Sequence, residues 1–400
     1  MQNQPLTGVR ILDMATVLAA PFSATLCADM GAEVVKLELP DGNDTLRTLA
    51  PVHKGKAVFW KTANRGKKGI SLDVRQPEGR AIFLDLIKGF DVLVENFRTG
   101  TLDRWGLDIE TLHARNPRLI VLRVTGYGQT GPLARKPGFA RIFEAMSGFA
   151  HLIGEADGPP QHMNFPLGDV VTGVFGAFAI ATALAERNAK PVDEQYGVEI
   201  DLSATEAMLR LLDPLLAEYA LTGVARNRAG SRATYTAPSN VYKTSDGAWI
   251  TVVSSGNNIF KRLCTAMEMP DLASEPRFSD NLQRMAHLDE LDDMIAQWCE
   301  RHSLEQISAV LDKEDVPFTK VYSMEDIMQD SHLQAREAII ELTDDELGKL
   351  PAPATVPRFS HRPQVIPSSG PETGQHNAEI FTALGLTRET QSALKARGII

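Results

Sequence analysis

The chain has 400 residues, of which 43% are apolar and 23% charged, a composition typical of a soluble globular protein with two domains or one elaborated domain. A net charge of −10 without a long basic run argues against non-specific nucleic-acid binding. The three cysteines lie far apart in sequence with no C-x-x-C pair, which favours a reduced cytoplasmic protein over a disulfide framework.

The first third of the chain alternates between strand and helix patterns. Five short segments rich in β-branched residues predict strands, at residues 9–14, 33–39, 69–74, 92–97 and 119–126. Among the segments between them, residues 77–90 predict most clearly an amphipathic helix that begins at Pro77. This alternation predicts an α/β fold with a doubly wound, mainly parallel sheet, in which ligands bind beyond the carboxyl ends of the strands.

The most apolar segment is "FPLGDVVTGVFGAFAIATAL", residues 165–184, in which Asp169 is the charged residue. Apolar residues nearly all round predict a buried helix. Asp169 at its start has two interpretations: an N-cap that accepts from free N–H groups, or a nucleophile. The weakly charged run 170–185 is too short to span a bilayer and contains Gly173 and Gly176, and the start of the chain lacks a signal-peptide pattern, so no membrane association is expected.

The second half predicts a smaller domain and a return to the first. A strand near 198–202 precedes a helix with a capping-box pattern at Ser203 and Glu206. Residues 223–240 are typical of a linker, and residues 240–255 predict a hairpin that turns at Asp246-Gly247, followed by helices to about 340. The proline-rich stretch 350–372 is expected to be an extended strap without regular structure, and two short helices to follow it.

Several kinds of chemistry are disfavoured. "GYGQTG" at 126–131 matches a dinucleotide-binding pattern, but Pro132 and Pro137 interrupt the helix that should follow. No P-loop and no G-x-S-x-G elbow are present, and the nine histidines lack metal-ligand spacing, so no metal is expected. Short basic clusters have two interpretations: solvated surface, or a phosphate cradle if the fold brings them together. They are Arg65, Lys67 and Lys68 in "NRGKKG" (64–69), then Arg75, Arg104, and Arg135 with Lys136.

Five motifs appear in order along the chain: "GVRILDMATVLAAPFSATLCADMGAEVVKLE", "NRGKKGISLDV", "VENFRTGTLDRWGL", "VTGYGQTGP" and "PLGDVVTG". Together they resemble the family III CoA-transferases (the CaiB/BaiF group), which include formyl-CoA transferase and carnitine CoA-transferase. The resemblance extends over essentially the whole chain. It implies a Rossmann-like large domain (1–222 with 341–400), a linker at 223–240, a small α+β domain (241–340), and a homodimer of two interlocked rings.

The resemblance also implies a reaction. Asp169 matches the family's catalytic aspartate, which would attack an acyl-CoA to give a mixed anhydride and then an aspartyl-CoA thioester. A helix N-terminus would favour the ionised nucleophile, and Gly168 would leave room for the thioester, while Gly173 and Gly176 allow tight helix packing. "SSGNN" (254–258) resembles a mobile loop, so Ser255, Gly256 and Asn257 are candidate loop and oxyanion residues.

Coenzyme A is expected as a substrate, and no permanently bound cofactor is expected. Basic side chains would bind its phosphates, and Phe97 would pack near the adenine. Leu39 occupies a position that is Arg in some members, which removes one contact. The CoA-binding positions implied by the resemblance are Val17, Leu18, Ala19, Leu72, Arg75, Asn96, Phe97, Arg98, Arg104 and Lys136.

Two other functions remain as alternatives. An acyl-CoA racemase of the same fold would need a G-H-D motif where this chain has Gly138-Phe139-Ala140, so its general base is missing. A non-catalytic acyl-CoA-binding protein would not need the carboxylate of Asp169. Succinyl-CoA or another short acyl-CoA is the expected donor and a small mono- or dicarboxylic acid the acceptor, with Arg232 as a candidate anchor for a distal carboxylate.

Overall fold

The computed structural model describes residues 3–42 and 44–400. These residues form two compact units, the first comprising the chain up to Phe149 with His162–Leu221 and Ala335–Ile400, the second comprising Ala150–Gln161 and Thr222–Gln334. The short piece Ala150–Gln161 was expected in the large domain. It lies in the second unit because the Gly230 N–H donates to the Gly154 carbonyl at 2.9 Å and Arg228 donates to the His151 carbonyl at 3.0 Å.

Strands and helices alternate along the first part of the chain. The strands are β1 (Arg10–Asp13), β2 (Glu33–Glu38), β3 (Val52–His53), β4 (Lys56–Ala57), β5 (Lys67–Ser71), β6 (Val92–Glu95), β7 (Ile120–Thr125), β8 (Glu199–Ser203), β9 (Ser239–Lys243), β10 (Trp249–Val253), β11 (Phe318–Lys320), β12 (Ile339–Asp344) and β13 (Gly348–Pro353). The α-helices are α1 (Ala19–Asp29), α2 (Val58–Ala63), α3 (Pro77–Leu86), α4 (Thr101–Arg104), α5 (Ile109–Arg115), α6 (Ala140–Met146), α7 (Leu167–Asn188), α8 (Ala204–Arg210), α9 (Leu215–Thr222), α10 (Asn257–Ala266), α11 (Asn281–Ala286), α12 (Leu288–Arg301), α13 (Leu304–Lys313), α14 (Met324–Gln329), α15 (Ser331–Ala335), α16 (Asn377–Ala383) and α17 (Arg388–Ala396). Short 3₁₀ turns occupy Thr45–Arg47, Ile87–Gly89, Ala150–Leu152, Val192–Glu194, Pro270–Ser274 and Pro276–Phe278.

The first unit is built on a parallel sheet of six strands, in the order β5-β2-β1-β6-β7-β8. The predicted mainly parallel α/β fold is confirmed. Both faces are covered by apolar residues: Phe83 and Leu93 belong to one core cluster, and Ala20 and Ile180 to the other. Strand order reverses between β1 and β6, and ligands of such sheets bind at that point, beyond the carboxyl ends of the strands.

Helix α7 lies against α1 through glycines. A Cβ at Gly173 would lie 2.8 Å from the Phe22 ring and 2.9 Å from the Ala19 carbonyl, and one at Gly176 would overlap the Ser23 hydroxyl. The predicted close packing at these two glycines is confirmed. The prediction that the helix is buried all round is wrong for the single chain, because Val174 and Phe178 are 52% and 68% exposed.

The membrane argument based on helix length also needs correction. Helix α7 has 22 residues and is long and apolar enough to cross a bilayer by length and composition alone. Such a helix is equally typical of a protein core. Its glycine contacts with α1, together with the buried side chains of Ile180 and Leu184, account for part of its apolar composition.

The second unit contains an antiparallel sheet in the order β11-β10-β9. Strands β9 and β10 form the predicted hairpin, and Gly247 in its turn has φ +83°, a conformation that glycine adopts without strain. Helices α10, α12 and α13 cover the sheet with an apolar core that includes Phe260, Trp298 and Leu311.

The proline-rich segment is partly regular, contrary to expectation. Its first residues belong to β13, which pairs with β12 in the register Glu341↔Pro351 and Ile339↔Pro353. A proline lacks the N–H that a central strand must donate, but β13 has one partner, so its prolines can face the unpaired side. Successive N–H groups along a strand point to opposite sides. The N–H of Ala354, one residue after Pro353, therefore faces the paired side, and it donates to the Ala338 carbonyl at 2.9 Å.

Candidate active site

A cavity of about 360 Å³ lies in the first unit at the carboxyl ends of the strands, where the strand order reverses. The loops after β1, β6 and β7 form part of its wall, and α7 and α8 begin beside it. The cavity brings together most of the residues expected at the site: Val17, Leu18, Ala19, Asn96, Phe97, Arg98, Lys136 and Asp169.

The loop after β1 is fixed by side chains from two other loops. Asn96 accepts from the Thr16 N–H at 2.8 Å and donates to the Thr16 carbonyl at 2.7 Å. The Val17 N–H donates to Asp44 Oδ1 at 3.0 Å, and Val17 has φ +65°, a strained conformation for a β-branched residue. Asn96 therefore shapes the cavity wall through this loop as well as lining it.

Two buried lysines lie beneath this loop. Lys67 Nζ lies 2.8 Å from Asp13 Oδ2 and also donates to the Pro21 carbonyl and the Asn64 amide oxygen. Lys36 donates to the Ala15 carbonyl. Burial lowers the pKa of Lys67 to about 8, and the charge of Asp13 opposes that shift.

These contacts decide between the two interpretations of "NRGKKG". Arg65 pairs with Asp29, Lys67 with Asp13 and Lys68 with Glu379. Neither Arg65 nor Lys67 is solvated surface, since both side chains are buried. Arg65 and Lys67 belong to buried ion pairs and Lys68 to a partly exposed one, so none of these three is a free cation for a phosphate cradle.

Asp169 is the third residue of α7 and lines the cavity. The helix begins after Pro166, which makes no side-chain cap, so the prediction that Asp169 is the N-cap is wrong. Glu144 of α6 satisfies an amide there instead, because its Oε1 accepts from the Gly168 N–H at 3.0 Å. The reason is geometric: a capping side chain must precede the first turn, whereas Asp169 lies within that turn.

Gly168 is required by helix packing. A Cβ at this position would lie 3.0 Å from the Ala140 carbonyl and 3.4 Å from Glu144 Cγ, so α6 already fills the adjacent space. The expected role of Gly168 in leaving room for a thioester stays a prediction. The missing side chain allows α6 to approach closely enough for Glu144 to reach the helix start.

The environment of Asp169 opposes its ionisation. Burial and the nearby charge of Glu144 raise the pKa of the Asp169 carboxyl to about 7. Within residues 3–42 and 44–400, no hydrogen bond or ion pair to this carboxylate is found. Glu144 is almost fully buried, and its Oε2 accepts from His162 Nδ1 at 2.8 Å. A partly buried, unpaired carboxylate with a raised pKa in a cleft is typical of a functional group.

Three residues expected at the CoA site lie away from this cavity. Leu72 is buried in the core under α3, and Arg75 pairs with Asp73 and Asp41. Arg104 donates to the Thr101 hydroxyl on the exposed side of α4. The structure does not bring these three side chains to the cavity that holds Asp169, and their contact with CoA stays a prediction.

The expected loop residues lie in the second unit. Arg284, fully buried, donates to the Ser255 carbonyl and to Asn257 Oδ1, the latter at 3.0 Å. It also donates to the Ala237 carbonyl at 2.8 Å and so ties the loop to its own unit. Gly256 has φ −73° and directly precedes α10. The role of Ser255, Gly256 and Asn257 as a closing loop stays a prediction.

Arg232 is already paired. Its guanidinium contacts Asp289 at 2.5 Å and Asp292 at 2.6 Å, so it does not present a free cation for a distal carboxylate. No group of three or more histidine, cysteine or acidic residues able to hold a metal occurs in the part of the chain that the structure describes. Among the described residues, the charged side chains that line the cavity are those of Asp169, Arg98 and Lys136.

Sequence reasoning did not identify Glu144 or His162. Glu144 lies in "ARIFEAM", where a glutamate on a short amphipathic helix is typical of a solvated face, and His162 lies in an irregular segment. Asp44 was also missed. A local pattern could have indicated it, because the side chain of an aspartate in a turn often accepts from the N–H of the residue two positions later. Asp44 accepts from the Leu46 N–H in this way, at 3.0 Å.

Comparison with known proteins identifies relatives over nearly the full chain. The profile of CoA-transferase family III matches residues 6–377. The chain is 40% identical to a succinyl-CoA–D-citramalate CoA-transferase of Chloroflexus aurantiacus over 99% of this chain and 98% of that protein. It is 31% identical to a succinate–glutarate CoA-transferase of Agrobacterium fabrum, over 97% and 98% of the two chains. The crystal structure of a CAIB/BAIF family protein from Brucella suis superposes with a TM-score of 0.84 at 31% identity, covering 96% of this chain and all of the other.

Proposed function

The chain belongs to CoA-transferase family III, and on this basis we propose that it transfers coenzyme A from succinyl-CoA to a small dicarboxylic acid through a covalent intermediate on Asp169. The observation that carries the proposal is the placement of Asp169, an unpaired carboxylate, on the wall of the cavity at the strand-order reversal. Oxygen nucleophiles of this kind split one difficult acyl transfer into easier steps.

The proposed reaction conserves the energy of the thioester. The Asp169 carboxylate attacks the carbonyl carbon of the donor, and the C–S bond breaks to give a mixed anhydride and the CoA thiolate. The thiolate then attacks the aspartyl carbonyl, which releases the donor acid and leaves an aspartyl-CoA thioester. An acceptor carboxylate repeats these steps in reverse order. Each bond formed replaces one broken, so no external energy source is consumed.

The cavity supports binding of an anionic substrate beside the nucleophile. Arg98 and Lys136 line it, and guanidinium and ammonium groups are the usual partners of phosphates. Phe97 lines the same wall and packs edge-on against Trp105, with ring centroids 4.9 Å apart. An aromatic pair of this kind offers an apolar surface on which the adenine of CoA can pack. Coenzyme A and its thioesters are thus proposed as substrates, with no permanently bound cofactor.

The relatives support the proposed substrate class. The names of two of them pair succinyl-CoA or succinate with D-citramalate or glutarate, both dicarboxylic acids. The racemase alternative is disfavoured because the positions that would carry its base hold Phe139 and Ala140. Phe139 lines the cavity with a side chain that cannot transfer a proton. A purely binding role would leave the unpaired, partly buried Asp169 carboxylate without a function.

The second copy of the chain is part of the proposal. Val174 and Phe178 leave an apolar stripe on α7 exposed, and Leu216 and Tyr219 of the first unit are exposed apolar residues as well. Exposed apolar surface of this kind marks interaction sites. We propose that a second copy covers it in the interlocked homodimer implied by the family resemblance, and that the enzyme is cytoplasmic, where its three free, buried thiols stay reduced.

Single-turnover labelling tests this function. The protein mixed with succinyl-CoA, without acceptor, is expected to gain a hydroxylamine-labile adduct that peptide mapping places on Asp169. Asp169→Asn should show neither adduct nor transfer. Asp157→Asn, which changes an exposed aspartate of the second unit, is the matched control and should retain both. Normal turnover by Asp169→Asn would refute the proposal, and transfer to monocarboxylic acids alone would refute the substrate class.

A further inference from the structure

Two residues outside the proposed chemistry converge on the start of α7. Glu144 Oε1 accepts from the Gly168 N–H at 3.0 Å, and its Oε2 accepts from His162 Nδ1 at 2.8 Å. Both carboxylate oxygens are thus occupied, and the side chain of Glu144 is 2% exposed. Gly168 directly precedes Asp169, so Glu144 contacts the backbone that carries the nucleophile.

We propose that Glu144, oriented by His162, is a positioning residue that fixes the first turn of α7, and that the charge on Asp169 depends on the charge on Glu144. This inference rests on the proposed function for its catalytic consequence. A buried carboxylate is stable when hydrogen bonds satisfy it, and here one backbone amide and one imidazole do so. Two nearby carboxylates disfavour each other's ionised form, so Glu144 limits the ionised fraction of Asp169.

His162 supports the charge on Glu144. Its Nδ1 donates to Glu144 Oε2 at 2.8 Å, and a hydrogen bond to the ionised form of a buried carboxylate favours that form. Without His162 the buried charge on Glu144 would lose a stabilising donor, and its effect on Asp169 would weaken. The pair therefore predicts pH shifts of the same sign, with the smaller shift when His162 is removed.

Other charges near the helix start do not provide this coupling. Arg98 and Lys136 line the same cavity, but neither forms an ion pair with Asp169 within the described residues. On α1 the acidic residue is Asp29, which is paired with Arg65. On α8, Glu206 and Arg210 are exposed. Among the residues that the structure describes, Glu144 is the charged group whose field contributes to the raised pKa of Asp169.

Glu144→Gln and His162→Ala test the proposal. Glutamine keeps an oxygen that accepts from the Gly168 N–H but carries no charge, so the pH at which CoA transfer is half-maximal should fall by about one unit. His162→Ala should lower that pH by a smaller amount, because Glu144 then loses a donor that favours its charged form. Glu144→Ala, which also loses the acceptor, should lower kcat about tenfold with little change in KM for the acyl-CoA. Glu110→Gln, in the first turn of α5, is the neutralising control and should change none of these values.

A second measurement is independent of catalysis. In each background, the free energy of unfolding is compared with that of its Asp169→Asn derivative from pH 5 to 9. The gain in stability from Asp169→Asn should be smaller in Glu144→Gln than in the wild type, and should be reduced to a lesser extent in His162→Ala. Unchanged gains and unchanged pH midpoints in folded variants would overturn the inference. Failure of the wild type and of every variant that keeps Asp169 to form an adduct would overturn the proposed function instead, while the stability comparison still tests the pair.

Discussion

Lys67 Nζ lies 2.8 Å from Asp13 Oδ2, and both side chains are fully buried beneath the loop that follows β1. Each ion lost most of its hydration on burial, and the pair compensates only while both members are present. The loop above it carries Val17 in a left-handed conformation at the cavity wall. The ion pair therefore supports both the stability of the first unit and the shape of the cavity.

Lys67→Met is expected to lower the free energy of unfolding by about 3 kcal/mol, because it leaves the carboxylate of Asp13 with a weaker buried partner. Urea unfolding at pH 7 measures the change. Lys68→Met, at the neighbouring residue with a partly exposed pair to Glu379, should cost less than about 1 kcal/mol. Equal losses in the two variants would contradict the role given to the buried pair.

Asp169→Asn is expected to stabilise the protein while abolishing transfer. Burial and Glu144 raise the pKa of Asp169 from 3.8 to about 7, so between these values the folded chain binds more protons than the unfolded chain and loses stability as pH rises. The asparagine variant should gain on the order of 1 kcal/mol at pH 8 and nothing below pH 3.8. In the wild type, CoA transfer should rise with pH through about 7.

Asp73→Asn serves as the opposite-sign control. The hydrogen bond from Arg75 holds the pKa of Asp73 below its usual value, against the effect of burial. Its contribution to stability is present above the unfolded pKa and is lost as pH falls, so removing it should destabilise the protein at pH 8. Thermal unfolding of both variants from pH 4 to 8 gives the comparison, and shifts of the same sign would contradict the assignment.

Phe178→Lys is expected to weaken the proposed homodimer. Phe178 is 68% exposed on α7, and burying a charge in an apolar interface costs several kcal/mol. Sedimentation equilibrium should show the lysine variant dissociating at concentrations at which the wild type is a dimer. Phe178→Leu keeps the stripe apolar and should remain dimeric. A dimeric Phe178→Lys would exclude this stripe from the interface.

Arg284→Met is expected to release the loop that contains Ser255, Gly256 and Asn257. The substitution removes the donors to the Ser255 carbonyl and to Asn257 Oδ1. Amide hydrogen exchange at residues 255–258 should accelerate at least tenfold, and the second unit should lose about 2–3 kcal/mol. Arg277→Met, at a partly exposed arginine paired with Glu275, should leave the loop's exchange unchanged. Unaltered exchange in Arg284→Met would contradict the inference that Arg284 holds this loop in place.

The strands and the parallel sheet could be predicted because their signals are local. Short β-branched runs separated by an amphipathic helix at residues 77–90 leave few topologies, and the order of the sheet follows the right-handed crossover rule. The hairpin could be predicted for the same reason, because its turn signal is the adjacent pair Asp246-Gly247. The proline-rich strap was predicted less well, because a proline's effect depends on whether its strand has a second neighbour.

Which residues line the cavity depends on which helices and loops pack together, and no local sequence pattern encodes that packing. Asp169 was found through a motif, but its place in the first turn of α7, rather than at the cap, was set by Pro166 and by α6. Glu144 was missed because its partner Gly168 is 24 residues away. Arg75 was expected in the CoA site, yet Asp73 and Asp41 hold its guanidinium.

The close approach of α1 and α7 at Gly173 and Gly176 has a consequence for how new specificities can arise. Both helices begin at the cavity, one after Leu18 and the other beside Asp169. Because a side chain at either glycine would collide with α1, the two helices are held in close contact along this wall of the cavity. In the proposed reaction, room for a longer or bulkier acid would therefore have to come from cavity residues outside these two helices, such as residues 134 and 136–139.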